Sequence, residues 1–211
     1  MNCIVPSWPA PPHIKAFTTT RLTTLDQIKW PSPPIWLKQV HGNRVVIADE
    51  VQAEKPEADA AITRKKNVVC VVRTADCLPI LLCDQAGCEI AAIHAGWKGL
   101  ATGIIAATLQ AMATSPARIL AWLGPAICAA NYEVGDDVRD RFAKFHDCFT
   151  RTGAGKWWMD LHGIARQQLT DQGSQHIYGG EYCTYTDKER FYSYRRDGAN
   201  EGRMFSCIWL T

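Results

Sequence analysis

VVCVVRTADCLPILLCDQAGCEIAAIHAGWKGLATGI, residues 68–104, decides the fold. Val68 to Arg73 is β-branched and apolar, too short for a helix, and reads as a buried strand. Thr74-Ala75-Asp76 interrupts it. Leu78 to Cys83 is a second apolar run, with Pro79 near its start, where a missing N–H least disturbs a ladder. Asp84-Gln85-Ala86-Gly87 has the composition of a turn, and Cys88 to Ile93 is a third run that ends at His94. Ala95-Gly96-Trp97-Lys98-Gly99 then leads into Leu100 to Ala113, whose apolar positions predict one helix buried on more than one side.

A reactive residue stands at two of these breaks. Cys77 follows Asp76 in a polar interruption, and His94 closes the third run seventeen residues later, so a thiol and an imidazole can meet at one rim of a sheet. In α/β proteins that rim is the usual place for chemistry, because strand ends are rigid and the loops beyond them open to solvent. Cys70, Cys83, Cys88 and Cys207 lie within or beside apolar runs and are expected in the core.

Working outward, His13 to Thr19 predicts a first strand, and the prolines at 31, 33 and 34 make Gln27 to Pro34 a stiff loop. Ile35 to Val40 and Arg44 to Ala48 read as two strands around Gly42-Asn43, a hairpin with His41 at its tip. Toward the C-terminus, Arg118 to Leu123 and Met204 to Leu210 read as strands. Asp136 to Phe145 and Asp160 to Leu169 read as helices, the first ending at a dipole-compensating His146 and the second leaving His162 exposed in its first turn. Trp157-Trp158 are expected in the core or a pocket wall, and Tyr182 to Tyr185 and Phe191 to Tyr194 bring aromatics near Arg195 and Arg196.

Composition narrows the class. With 211 residues the chain can bury roughly 70% of its unfolded surface as a single domain. A hydrophobic content of 47% and a charged content of 21% exclude disorder as the main state. A net charge of +2, without Lys/Arg runs, offers no basic face for nucleic acid or an anionic membrane. Nine cysteines, with no C-x-x-C pair and no signal-like or spanning apolar stretch at the N-terminus, predict a cytoplasmic protein with reduced thiols. No repeat or linker composition divides the chain, so one domain over 1–211 is expected.

His41, Cys77 and His94 are the residue types that suit Zn²⁺, two imidazoles and a thiolate with a fourth position open for water or substrate. Because they come from separate strands, spacing alone leaves two readings: a catalytic metal site, or a Cys–His pair without metal and a surface histidine.

Lys38-Gln39-Val40-His41-Gly42, Ala58-Asp59-Ala60, Thr74-Ala75-Asp76-Cys77-Leu78-Pro79, His94-Ala95-Gly96-Trp97-Lys98-Gly99, Gly124-Pro125-Ala126-Ile127, Tyr132-Glu133-Val134-Gly135 and Tyr194-Arg195-Arg196 together resemble the bacterial YfiH family. That family is also labelled laccase-domain, polyphenol oxidase or peptidoglycan-editing-factor. The resemblance runs from about Lys38 to the C-terminus, and it implies zinc held by His41, Cys77 and His94. It further implies an α/β (α+β) fold of mixed sheets layered with helices, shared with a cysteine-hydrolase-like toxin deamidase domain. The implied activity is zinc-dependent phosphorolysis of adenosine, inosine, guanosine and methylthioadenosine, with deamination of adenosine. The partners so implied are a purine nucleoside and phosphate. One departure stands out: only Leu22 to Pro34 separates Thr19-Thr20-Arg21 from the Ile35 run, where family members carry a longer segment.

Zinc on such ligands brings the pKa of a bound water toward roughly 7, which suits attack on purine C6, and it polarises oxygen. Phosphorolysis needs an anion near the sugar. Lys98, between Gly96 and Gly99 where a strand hands over to a helix, and Arg195 and Arg196 are the candidates for substrate binding. Asp76 is a candidate to orient a ligand or act as acid or base, or else to cap its own turn. Two other classes compete: a Cys–His hydrolase or amidase with Cys77 as nucleophile, acting on a peptidoglycan precursor, and a non-catalytic nucleoside-binding module. A multicopper oxidase is disfavoured, since six histidines with no H-x-H pair cannot build such a centre.

Overall fold

A computed structural model describes residues 2–50, 54–199 and 202–211. In chain order the elements are β1 (Cys3–Ile4), β2 (Ile14–Thr19), β3 (Val45–Ile47), β4 (Ala60–Thr63), β5 (Cys70–Thr74), β6 (Leu78–Asp84) and β7 (Ile90–Ala95). The helices α1 (Trp97–Ala101) and α2 (Ile104–Ala111) follow, then β8 (Ile119–Leu123), β9 (Glu133–Gly135) and α3 (Asp136–Arg139). The chain closes with β10 (Phe149–Gly153), β11 (Lys156–Met159), α4 (Leu161–Asp171), β12 (His176–Gly179), α5 (Tyr194–Asp197) and β13 (Met204–Leu210). The fold is α/β, with mixed sheets and few helices.

The largest sheet has the order β12-β8-β6-β7-β4-β3, parallel at its two outer pairs and antiparallel within. A second sheet, β1-β2-β13-β5, is antiparallel throughout, and β10-β11-β9 make a third. Alternation along β6 explains the layering. Leu78, Ile80 and Leu82 join a core with Ile104, Ile105 and Leu109 of α2 and Leu161, Ile164 and Leu169 of α4. Leu81 and Cys83 point the other way, onto Cys70, Val72, Ile208 and Leu210 of the second sheet. The large sheet is therefore covered on both faces, which is why β6 and β7 read as unbroken apolar runs. Phe17, Trp30, Trp36, Phe205 and Trp209 cover the outer face of the second sheet around Val69, Val71 and Cys207, and Trp30 brings the short 22–34 segment into that layer.

Several expectations need correction. Ile35–Val40 is not a strand: Ile35 and Lys38 make only isolated bridges, and β3 pairs with β4 in parallel, so His41 is not at a hairpin tip. Side chains take the place of a ladder here: Gln39 bonds the Arg73 carbonyl and amide, and the Asp59 carboxylate accepts from the Val40 and His41 amides. The helix predicted over 100–113 is two, because Gly103 takes a left-handed φ of 85° that breaks α1 from α2. The helix predicted over 136–145 is a short α3 followed by kinked 3₁₀ turns that continue through His146. His162 is buried, with Nε2 3.2 Å from the Gly124 carbonyl, and Cys88 is exposed at a turn whose N–H groups are taken by Asp84. Among the described residues no helix is long and apolar enough to cross a membrane.

Candidate metal centre

The rim predicted from the sequence exists. β6 and β7 are antiparallel with Pro79 opposite His94 and Leu78 opposite Ala95, so Cys77, one residue before β6, reaches the edge where His94 stands. On the other side of β7, β4 pairs Ala60 with Ile93, and the His94 amide donates to the Asp59 carbonyl at 2.7 Å. Asp59 thus flanks His94 in the ladder. The loop before β3 then carries His41 over the same edge.

His41, Cys77 and His94 each offer one ligand atom, and these atoms all lie within 4.8 Å of one another. The two imidazole rings are 4.7 Å apart at their centroids and nearly perpendicular, at 80°. Burial falls from His94 to Cys77 to His41, so the cluster is closed behind and open at His41. Gly96 makes the approach possible: a Cβ there would stand 2.9 Å from Cys77 Sγ and 3.3 Å from His41 Cδ2.

Asp59, fully buried, orders the site. Its Oδ1 lies 2.7 Å from His94 Nδ1, which fixes that ring and leaves Nε2 for the cluster. Its two oxygens also accept the amide N–H groups of Val40, His41 and Gly42, at 3.2, 2.9 and 2.8 Å. Those bonds hold His41 at a φ of 60°, a left-handed conformation uncommon outside glycine. One carboxylate therefore sets two of the three donors. In the sequence Asp59 carries only one signal of this role, an aspartate between two alanines at the head of a buried strand.

The charges are mutually adjusted. Burial alone would push the Cys77 thiol up, but hydrogen bonds to His41 and His94 outweigh it and hold the thiol down to about 6. Burial would depress His94, yet its bonds to Asp59 and Cys77 raise it to about 9. Burial likewise acts to raise Asp59, while the bonds to His94, Gly42 and Val40 hold it below the usual carboxylate range. A thiolate, two nitrogen donors and a carboxylate behind one of them form a donor set that could hold a metal ion.

The other predicted site residues are spread more widely. Asp76 is buried with a φ of 83°, and its carboxylate accepts from Thr184 Oγ1 at 2.7 Å, Ser193 Oγ at 3.0 Å and the Arg195 amide at 2.6 Å. Its carbonyl accepts from the Ile127 amide at 3.0 Å. Asp76 therefore ties three distant segments behind Cys77, and its carboxylate is engaged by protein donors rather than free for proton transfer. Lys98 faces solvent over Trp97 on a helix of five residues, too short to present much dipole. Arg196 is engaged by the carbonyls of Thr184, Tyr185 and Phe191 and by Asp197, so it holds its own loop instead of offering a free guanidinium. Arg195 is exposed, lies 5.1 Å over the Tyr132 ring and donates to the Glu133 carbonyl.

Fold and donor set together define a class: an α/β protein with a three-residue His, Cys, His cluster at a sheet rim that could hold a metal ion. Residues 15–211 match the family model described as multi-copper polyphenol oxidoreductase laccase. The chain belongs to this family, the YfiH or laccase-domain family. It is 42% identical over 241 residues to the purine nucleoside phosphorylase YfiH of Escherichia coli (strain K12), covering 98% of each chain. It is 38% identical over 245 residues to a purine nucleoside phosphorylase of Haemophilus influenzae, covering 100% of each. Among solved structures it is similar to Neisseria meningitidis protein NMB0706, with a TM-score of 0.92, 39% identity and coverage of 100% of this chain and 99% of that one. Alignments of 241 and 245 residues exceed a chain of 211, so these two relatives carry residues with no counterpart here.

Proposed function

We propose that this chain is a zinc-dependent purine nucleoside enzyme, one catalytic domain over residues 1–211, with His41, Cys77 and His94 as the metal ligands. The reactions proposed are phosphorolysis of adenosine, inosine, guanosine and methylthioadenosine, and deamination of adenosine. The observation that carries this reading is the convergence of the three donor atoms within 4.8 Å, in a chain whose full-length relatives are named purine nucleoside phosphorylases. A kinship with cysteine-hydrolase-like toxin domains is part of the same proposal.

Bound at these residues, zinc would supply a Lewis acid and a water-derived nucleophile near neutral pH. The chain's own part is positional. Asp59 holds His94 by Nδ1 and the His41 loop by its amides, so both imidazoles are set before substrate arrives. Asp76 fixes the backbone behind Cys77 and, through the Arg195 amide, places α5 beside the site. Arg195 is the basic residue we assign to the substrate, and Lys98 is a solvent-facing candidate for phosphate.

The test is to incubate purified, metal-quantified protein with adenosine, with and without phosphate, and to resolve adenine from inosine. Phosphate-dependent adenine and phosphate-independent inosine are expected, and Cys77→Ala is expected to abolish both. A second reading rests on the two imidazoles set against the Cys77 thiol: a metal-free Cys–His hydrolase or amidase. It requires full activity after exhaustive chelation and inactivation by iodoacetamide, whereas the zinc reading requires that chelation abolish turnover.

A further inference from the structure

A cavity of about 360 Å³ opens among Ala130, Asn131, Glu133, Trp158, Tyr185 and Arg195, a size within the range of small-molecule sites. Its lining residue Arg195 is linked to the candidate metal centre through its amide, which is bonded to Asp76, the residue before Cys77. One wall is the third sheet. The register of β11 on β9 sets Trp158 directly opposite Glu133, so both side chains stand on the same face. Trp157, next in the strand, points the other way, packs against the main core and donates to Asp136 Oδ1 at 2.6 Å. The facing wall is the loop before α5. Arg196 bonds the Thr184 and Tyr185 carbonyls at 2.9 and 2.7 Å, and Arg195 bonds the Glu133 carbonyl at 3.1 Å, so the two walls are tied to each other.

The lining has one chemical character. Trp158 and Tyr185 supply aromatic surface, Asn131 carries both a donor and an acceptor, and Glu133 is a carboxylate with Oε2 held by Thr152 at 2.9 Å. One carboxylate against one guanidinium is near neutral, which suits an uncharged flat heterocycle better than a phosphate. Purine bases have π faces that stack on aromatic side chains and edges that carry donors and acceptors together.

We propose that this cavity is the purine-base subsite, the base stacking against Trp158 and Tyr185 and its edge meeting Asn131 and Glu133. The inference deepens the nucleoside reading above and rests on it. Neither Trp158 nor Tyr185 is one of the three proposed ligands, so their removal is expected to leave the metal in place.

The experiment titrates free adenine, which needs neither sugar, phosphate nor turnover, into zinc-loaded full-length protein by calorimetry, and follows adenosine turnover separately. Wild type is expected to bind adenine. Trp158→Ala and Tyr185→Ala are expected to weaken adenine by about 10- to 100-fold, the worth of one aromatic stack. They should raise KM for adenosine more than they lower kcat, at unchanged zinc content. Trp158→Phe retains a flat ring and is expected to keep most of the affinity, which guards against a merely misfolded Trp158→Ala. Wild-type affinity in both alanine variants, or no adenine binding by wild type, overturns the subsite. Turnover of adenosine with unaffected variants would sink the subsite alone. Adenine binding that depends on Trp158, without any nucleoside turnover, would sink the enzyme reading and keep the subsite.

Discussion

Asp59 and His94 are joined twice, by a main-chain bond of 2.7 Å from the His94 amide to the Asp59 carbonyl and by a side-chain contact of 2.7 Å between Oδ1 and Nδ1. The same carboxylate takes three successive amides around His41, so it acts on both imidazoles at once. Asp59→Asn replaces one acceptor oxygen by an NH₂ group facing N–H donors. Zinc affinity is expected to fall by about 10- to 100-fold, read by competition with a chromophoric chelator. Wild-type affinity in this variant would show that the carboxylate plays no part in the site.

Gly96 has an ordinary extended backbone, φ −77° and ψ 169°, that alanine adopts without strain. A methyl group there meets Cys77 Sγ at 2.9 Å and His41 Cδ2 at 3.3 Å. Gly96→Ala is therefore predicted to lower zinc affinity and turnover at least about tenfold, by displacing a well-oriented ligand, while circular dichroism stays that of the wild type. Equal zinc affinity in the variant would mean that the three donors do not close on a common centre.

In metal-free protein the Cys77 thiol, held down to about 6, is mostly thiolate at pH 7. Its alkylation by iodoacetamide is predicted to be half-maximal near pH 6 and to fall as the pH drops below that. Replacing His94 by Gln removes one of the lowering partners and moves the midpoint up toward the ordinary thiol value. Zinc protects the residue. A midpoint near 9 in the wild-type apo-protein would contradict the contact with the imidazoles.

What was legible in the chain, and what was not, follows from the range of the interactions. β6, β7 and β13 were readable because both faces of their sheets are covered, which leaves continuous apolar runs. The meeting of Cys77 and His94 follows from adjacent antiparallel strands, so it too could be seen locally. The path of His41 could not. Its left-handed backbone is held by a carboxylate eighteen residues away, and the Gly42-Asn43 signal suggested a hairpin that the parallel pairing of β3 with β4 rules out. The burial of His162 depends on the Gly124 carbonyl, 38 positions distant, and no helical pattern around it carries that information.

His94, raised to about 9, is protonated in the metal-free protein at pH 7.5, whereas a metal ligand must be the neutral ring. Zinc binding is predicted to release about one proton from His94 at pH 7.5, read by calorimetry in buffers of different ionisation enthalpy. Apparent affinity should rise with pH up to about 9. The sign for apo-protein stability is opposite. Because the folded value lies above the ordinary 6.5, the His94 contribution is full below pH 6.5 and is lost as pH rises through about 9. Zinc binding without proton release at pH 7.5 would refute the raised value.

X-ray absorption at the zinc edge, on protein purified without added metal and then quantified, tests the centre itself. One zinc per chain is expected, with one sulfur at about 2.3 Å and two imidazole nitrogens at about 2.0–2.1 Å, and the sulfur should vanish in Cys77→Ala. A shell without sulfur, or zinc that persists at full stoichiometry after His41, Cys77 and His94 are all replaced, would contradict the site.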